Sequence, residues 1–474
     1  MKTTVNKWLA LLIVLTAPLL YVIDIFIINI AIPTIKTNLH ASDGEIQLVI
    51  ASYLLGSACF LITGARAGDF LGKKKVFFWG MFAFTITSCI CGLSQNANQL
   101  NIARFFQGVS SAFMVTQSIS LIQVLFTESK ERAIAIGWYG ITLSIAAIIG
   151  QVLGGYLAET HFLIDGWRLI FFINLPVGIL SLFAIHRYLT ETPKLEKVRF
   201  DYNGAIYLTI GLACMIYALT EGREDGFPLW FYILASLSII FLLRFIAVQK
   251  NKLLNKQDPL IDISLFKLKD FKIGLFAVLF HFMLHTAYLL IVAVYLQNGL
   301  GISALACGMY FIPHAILFMI SSAFAGKLLP KYGKRVLQLG LIIILISFVL
   351  QIIYFSHKDI PFVSMLFLGL YGLGNGLVLP FLLNIVLDNV EEKDAGAASG
   401  IFSTFQQIAS SLGISIIGGI FYTVLDSNYF KNNYLLALQV GLSVGIICLM
   451  VVGFMLSKLA KSYKPETATV HSME

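Results

Sequence analysis

Runs of about twenty apolar residues, separated by short polar stretches, recur along almost the whole chain. Roughly 20 apolar residues span the hydrocarbon core of a bilayer as a helix, because backbone polar groups there must be satisfied within the segment. Fourteen such stretches stand at about 8–35, 46–64, 76–94, 100–126, 133–158, 168–189, 203–220, 229–249, 272–297, 303–328, 336–355, 361–384, 396–424 and 434–457. The first follows Lys2 and Lys7, as a secretory signal would. It is too long for one, contains Asp24 and lacks a small-residue cleavage site, so it reads as a membrane helix. The expected fold class is an all-α polytopic membrane protein.

Composition agrees: 58% of the 474 residues are hydrophobic and 12% charged, about half the charged share of a soluble domain. Most of the 33 basic residues cluster in alternate connections, among them Lys73 to Lys75, Lys327 to Arg335 and Lys458 to Lys464. Positive loops stay on the cytoplasmic side, which predicts that both termini are cytoplasmic. Anionic inner-leaflet lipid is a sufficient partner for the net charge of +8, and nucleic acid is not needed to explain it.

The loop after the second stretch reads GARAGDFLGKKK (64–75), and the loop after the tenth reads GKLLPKYGKR (326–335). In both, a glycine (Gly72 or Gly333) leads directly into a basic run. The recurrence suggests two six-helix halves, residues 1–200 and 272–460. An inserted helix pair at 201–250, a cytoplasmic linker at 251–271 and a cytoplasmic tail at 461–474 complete the expected division. Repeated halves are a common plan of secondary transporters, with the substrate between them near the midplane.

Asp24 is the one carboxylate in a window, 17–33, whose other residues are apolar apart from Tyr21 and Asn29. An ionised carboxylate at the bilayer centre costs several kcal/mol, so it should face a cavity or a partner. A carboxyl there can bind and release a proton, or it can serve only as a fixed structural pair. Arg104, Gln107, Ser111 and Ser118 recur at helical spacing and share one face of the fourth helix. Arg104 is therefore the natural partner for Asp24.

Ala146, Gly150 and Gly154 make a small-residue seam on the fifth helix, suited to close packing in lipid. His281 and His285 stack one turn apart, which suits proton or substrate contact, whereas no third ligand stands near them for a metal. His314 reads as a hydrogen-bonded interior residue. Ser399, Ser403, Gln406, Gln407 and Ser410 form a polar stripe that should look inward. The 38 phenylalanines, 19 tyrosines and 11 methionines can line an adaptable cavity. The six cysteines, all in predicted helices, read as small apolar packing. There is no phosphate-cradling GxxxxGK[ST] loop and no recognisable nucleophile with a base. Neither an ATP-driven pump nor an enzyme is expected, and no cofactor or metal.

Several motifs in order carry a resemblance. Asp69 with Gly72, Lys73 and Lys74 resembles the loop signature of the major facilitator superfamily, and TGARAGDFLGKKKVFFWG (63–80) resembles that of its fourteen-helix drug:proton antiporter branch. LNIARFFQGVSSAFM (100–114) is similar to the fourth-helix motif. GQVLGGYL (150–157), with Gly150, Gln151, Gly154 and Gly155, is similar to the fifth-helix antiporter motif. GWRLIFFINLPVGI (166–179) and GLGNGLVLP (372–380) extend the likeness.

The resemblance implies a major facilitator fold and a role for Asp24 and Arg104 in proton coupling, with the Asp69 to Lys74 loop as a gating latch. It also implies drug:proton antiport by alternating access in a bacterial inner membrane. The expected substrates are amphipathic drug-like compounds, cationic ones included. The expected substrate cavity comprises Tyr21, Asn29, Gln107, Ser111, His281, His285, Gln406 and Gln407, in a monomer. The alternatives are a dedicated carrier of a sugar, amino acid or siderophore, and a sensor that binds without transporting.

Overall fold

The computed structural model describes residues 6–160, 164–191, 201–222, 226–255, 257, 259–355, 361–387, 390, 395–427 and 432–459, and within them leaves some side chains aside, including those of Asp69 and Ser399. The expected tail at 461–474 lies outside these residues. Among the described residues all regular structure is helical, and fourteen helices are long and apolar enough to cross a membrane.

They are α1 (Lys7–Leu39), α2 (Asp43–Leu71), α3 (Lys73–Leu93), α4 (Ala97–Leu125), α5 (Ser129–Glu159), α6 (Gly166–Tyr188), α7 (Tyr202–Glu221), α8 (Leu229–Leu254), α9 (Lys269–Gly299), α10 (Ala304–Ala325, running on to Tyr332), α11 (Arg335–Tyr354), α12 (Pro361–Val378), α13 (Gly400–Asp426, starting from Ala395) and α14 (Tyr434–Lys458).

Local chemistry sets many of the helix starts. Ser42 and Glu45 form a reciprocal capping box at α2, satisfying two backbone donors that the first turn leaves open. Asn6, Asn96, Ser303 and Asn433 cap α1, α4, α10 and α14 through their side chains. Proline explains two interruptions that the apolar runs do not reveal. The ladder of α6 breaks at Ile173, ahead of Pro176, and that of α10 breaks at Phe311, ahead of Pro313. Each proline lacks an N–H and crowds the carbonyl four residues back. The run at 361–384 likewise ends its regular helix at Val378, and a tight turn over Leu379–Phe381 holds Pro380.

The first six helices and the last six repeat one another. Gly72 ends α2 at φ 101° and Gly333 ends α10 at φ 56°, a backbone region in which glycine carries no Cβ penalty. The lysines that follow act alike. Lys74 donates from Nζ to the carbonyls of His186 (3.2 Å) and Leu189 (2.5 Å) at the end of α6. Lys334 donates to those of Ser457 (3.4 Å) and Leu459 (2.8 Å) at the end of α14. A cation at a helix C-terminus satisfies open carbonyls and complements the helix dipole.

The inserted pair, α7 and α8, packs mainly on itself and leans on α2. It reaches the second half through Thr220, whose Oγ1 lies 2.6 Å from Ser415 Oγ of α13. Its start is fastened by Asp201, which accepts from Gly204 N (2.8 Å), Gln249 Nε2 (2.9 Å) and Leu260 N (3.2 Å) and pairs with Lys252 (2.9 Å). The segment after α8 is thus tied back to the beginning of α7.

Candidate functional site

Asp24 is 1% exposed and Arg104 fully buried, where α1 and α4 meet. Arg104 Nη1 donates to Asp24 Oδ2, forming an ion pair. Gln107, one turn on along α4, locks both partners: its Nε2 donates to Asp24 Oδ1 (2.8 Å) and its Oε1 accepts from Arg104 Nη1 (2.8 Å). Arg104 Nε reaches the Val49 carbonyl of α2 (3.0 Å), and the guanidinium lies 4.3 Å from the Tyr53 ring centre. Asn174, at the proline break of α6, donates to Ser88 Oγ (2.9 Å) and more weakly to Asp24 Oδ1 (3.5 Å).

A buried ion pair survives in low dielectric only when further hydrogen bonds satisfy both charges. The Asp24 carboxylate has three donors directed at it.

Glycines make this approach possible. A Cβ on Gly108 would stand 2.0 Å from the Tyr53 carbonyl, and one on Gly56 would stand 2.2 Å from that of Phe105. Helices α2 and α4 therefore touch backbone to backbone at the level of Arg104, as small residues permit in lipid.

Tyr21, one turn before Asp24, receives a hydrogen bond from Gln407 Nε2 of α13, which also reaches Ser57 Oγ (3.2 Å). Ser411 donates to the Ala51 carbonyl (3.2 Å). The polar stripe of α13 thus faces α1 and α2 across the divide between the halves. Gln406 is half-buried beside Gln407. Two expected cavity residues stand apart from the network. Asn29 Nδ2 bonds the Ile25 carbonyl (3.0 Å), and Ser111 Oγ bonds that of Gly108 (2.7 Å), both within their own helices.

In the second half, His281 and His285 of α9 converge on α12. His281 Nε2 lies 2.8 Å from Asn375 Oδ1. His285 Nδ1 lies 2.8 Å from Tyr371 Oη and 3.1 Å from Asn375 Nδ2. The His314 ring stacks on Tyr371 at 5.5 Å and 15°. The expectation of a hydrogen-bonded His314 is corrected: the residue is interior, yet among the described residues neither ring nitrogen has a partner, and the ring is held by aromatic packing against Tyr371 instead.

The antiporter-like motif joins the halves at the end opposite the basic loops. Gly150 and Gly154 sit against Ile23 and Ile27 of α1. Gly155 faces the Ala304 carbonyl, and Gly308 of α10 faces the Gln151 carbonyl. Glu159 Oε1 accepts from Leu305 N (2.8 Å), and Gln297 Nε2 donates to the Ile30 carbonyl (2.9 Å).

Sequence reasoning missed Asn174, Tyr53, Tyr371 and Asn375. Asn174 and Asn375 each interrupt an otherwise apolar or glycine-rich run, the same signal that marked Asp24. The tyrosines carried no signal among so many aromatics.

The family model described as Major Facilitator Superfamily matches residues 14–414. A "Probable actinorhodin transporter" of Streptomyces coelicolor is 29% identical over 426 residues, 89% of this chain and 74% of the relative. "Multidrug resistance protein Stp" of Mycobacterium tuberculosis is 30% identical over 405 residues (84% and 73%). "Multidrug transporter protein MdtP" of Bacillus subtilis is 28% identical over 405 residues (84% and 72%). Among solved structures, a bacterial homolog of the human lysosomal transporter Spinster, inward-facing and unoccupied, superposes with TM-score 0.69 at 16% identity, covering 95% of this chain and 96% of that one.

Proposed function

Because the chain belongs to the Major Facilitator Superfamily, a class of multi-pass membrane transporters rather than enzymes, we propose that it exports amphipathic drug-like compounds from a bacterial cell in exchange for protons. The relatives named for drug or antibiotic transport support the substrate class. The basic loops at one end of the bundle favour that end, with both termini, as cytoplasmic.

The observation that carries proton coupling is the buried pair of Asp24 and Arg104, one helical turn from the Tyr21 to Gln407 bond that crosses the halves. A proton on Asp24 cancels its charge and frees Arg104, whose Nη2 has no partner among the described residues even in the paired state. The positive charge must then find other acceptors or water, which biases how α1 and α4 sit. Tyr21 on the same face of α1 passes that bias to α13.

Contacts between the halves at the Gly155 end, Gly155 on Ala304 and Gly308 on Gln151, support reading that end as the one that closes when access alternates. The motif glycines act as the seam along which α5 slides past α1 and α10 when access alternates. Asp69 to Lys74 latches the cytoplasmic ends. The expected unit is a monomer in the cytoplasmic membrane.

The test uses inverted vesicles with an acid interior and a pH-sensitive dye. Wild-type protein should release protons when a substrate is added, and Asp24→Asn should not. Equal proton release from both would refute coupling through Asp24.

A further inference from the structure

The two halves can be aligned residue by residue from the basic loops. His285 stands as far before Gly333 as Asp24 stands before Gly72, and His314 as far before Gly333 as Tyr53 before Gly72. On the facing helices, Gly108 packs on the Tyr53 carbonyl and Gly372 on the His314 carbonyl, at 2.0 and 2.1 Å from where a Cβ would sit. With those glycines matched, Gln107 corresponds to Tyr371, Ser111 to Asn375 and Arg104 to Leu368. The contacts correspond as well. Gln107 bonds Asp24, and Tyr371 bonds His285, each at 2.8 Å. The second half therefore holds a counterpart of the ion-pair site from which both charges are gone together: imidazole replaces carboxylate, and a fully buried leucine replaces guanidinium.

This counterpart is not satisfied internally. Among the described residues, His281 Nδ1 and both nitrogens of His314 have no hydrogen-bond partner, although the two residues are 0% and 4% exposed. A buried polar atom without a partner is costly, so a ligand that supplies the bonds is favoured. A neutral imidazole offers one donor and one acceptor. The matching group must both donate and accept, as a hydroxyl or an un-ionised carboxylic acid does.

A cation has little to hold it here. The titratable groups around His285 are His281 on its own helix, His314 on α10, and Tyr288 and Tyr371 on α9 and α12. Away from the helix ends, the fourteen spans contain a single carboxylate, Asp24, and Arg104 already neutralises it. The aromatic faces are also taken, since Tyr371 stacks against His314, Phe348 and His285.

We propose that His281, His285, His314, Tyr371 and Asn375 form a substrate-binding site in the second half, the uncharged counterpart of the Asp24 site, which selects amphipaths bearing a hydroxyl or a protonated acid over lipophilic cations. The proposal rests on the transport reading above and names its substrate class.

The test is equilibrium binding to purified protein in nanodiscs, with three probes of similar ring size: 2-naphthol, its methyl ether and N-methylquinolinium. The expected order is naphthol tightest, with the ether and the cation each about tenfold weaker. His314→Phe should bring naphthol down to the level of the ether. His314→Gln, which keeps a donor and an acceptor, should retain part of the preference. Folding of each variant is checked by its melting temperature. A tighter cation, equal affinity for naphthol and its ether, no binding of any probe, or a correctly folded His314→Phe that still prefers naphthol would overturn the proposal. Binding is read without transport, so the two readings fail separately. The expected order without proton release refutes the antiport reading alone, and proton release without the order refutes only this site.

Discussion

The backbone carbonyl of Gln151 lies 2.5 Å from the point where a Cβ on Gly308 would stand, so α5 and α10 meet there with no room for a methyl group. Overpacking of this kind costs about 1–3 kcal/mol. Placed on a contact between the halves, it penalises the state in which that end is closed. Gly308→Ala should therefore shift the closed-to-open ratio by about five- to 150-fold, at about 1.4 kcal/mol per factor of ten. A cysteine introduced on α10 near Gly308, in a background without the native cysteines, should then react faster with a membrane-impermeant thiol reagent from the Gly155 end. Unchanged labelling would mean that the contact does not control access.

Asp24 and Arg104 should be strongly coupled in stability. Removing one member of a buried pair leaves the other charge unpaired, at about 3–5 kcal/mol, whereas removing both is much milder. Asp24→Asn alone and Arg104→Gln alone should each lower the melting temperature markedly, and the double variant should recover most of the loss. Proton-coupled transport should stay absent in all three. Additive losses in the double variant would show that the two side chains do not act as a pair.

Lys74 and Lys334 close corresponding helix ends in the two halves and should respond alike. Each substitution to Met removes hydrogen bonds to two carbonyls and should cost about 0.5–1.5 kcal/mol. Melting curves of the two variants should shift by similar amounts, and the double variant should show the sum, because the sites share no partner. A large difference between the single variants would argue that the second copy of the loop has lost its structural role.

The fastening of the inserted pair should depend on pH. Burial by itself would push the Asp201 carboxyl up, but hydrogen bonds from Gln249, the Gly204 N–H and Lys252, with the charge of Lys252, outweigh it and hold the carboxyl below its usual range. The unfolded chain then takes up the proton first. The stabilisation is complete above the unfolded carboxyl value of about 3.9 and is lost as pH falls through the lower folded value. The melting-temperature gap between wild type and Asp201→Asn should be constant from pH 7 to 5 and narrow as the pH falls below the unfolded carboxyl value of about 3.9. A gap that widens on acidification would contradict this assignment.

Much of this architecture was legible in the chain, because crossing a bilayer imposes a one-dimensional rule. Each span must satisfy its own backbone, so length and hydropathy alone reveal it. The number of spans, the kinship of the loops at Gly72 and Gly333, and the oddity of Asp24 in an apolar helix all follow from local order. The breaks at Ile173 and Phe311 were also readable in principle, from Pro176 and Pro313. The pairing of Asp24 with Arg104 was reachable because only a few charges stand in the spans.

What tertiary structure alone decided is which neutral polar groups meet. Asn29 and Ser111 lie on promising faces yet bond their own helices, while Asn174, Tyr371 and Asn375 join the two buried sites. Helical periodicity tells which residues share a face, but not how far each helix is rotated or raised against its neighbour. In this protein those offsets are set by glycines, Gly108 on Tyr53 and Gly372 on His314, which admit one close backbone approach and carry the side chains above and below into register.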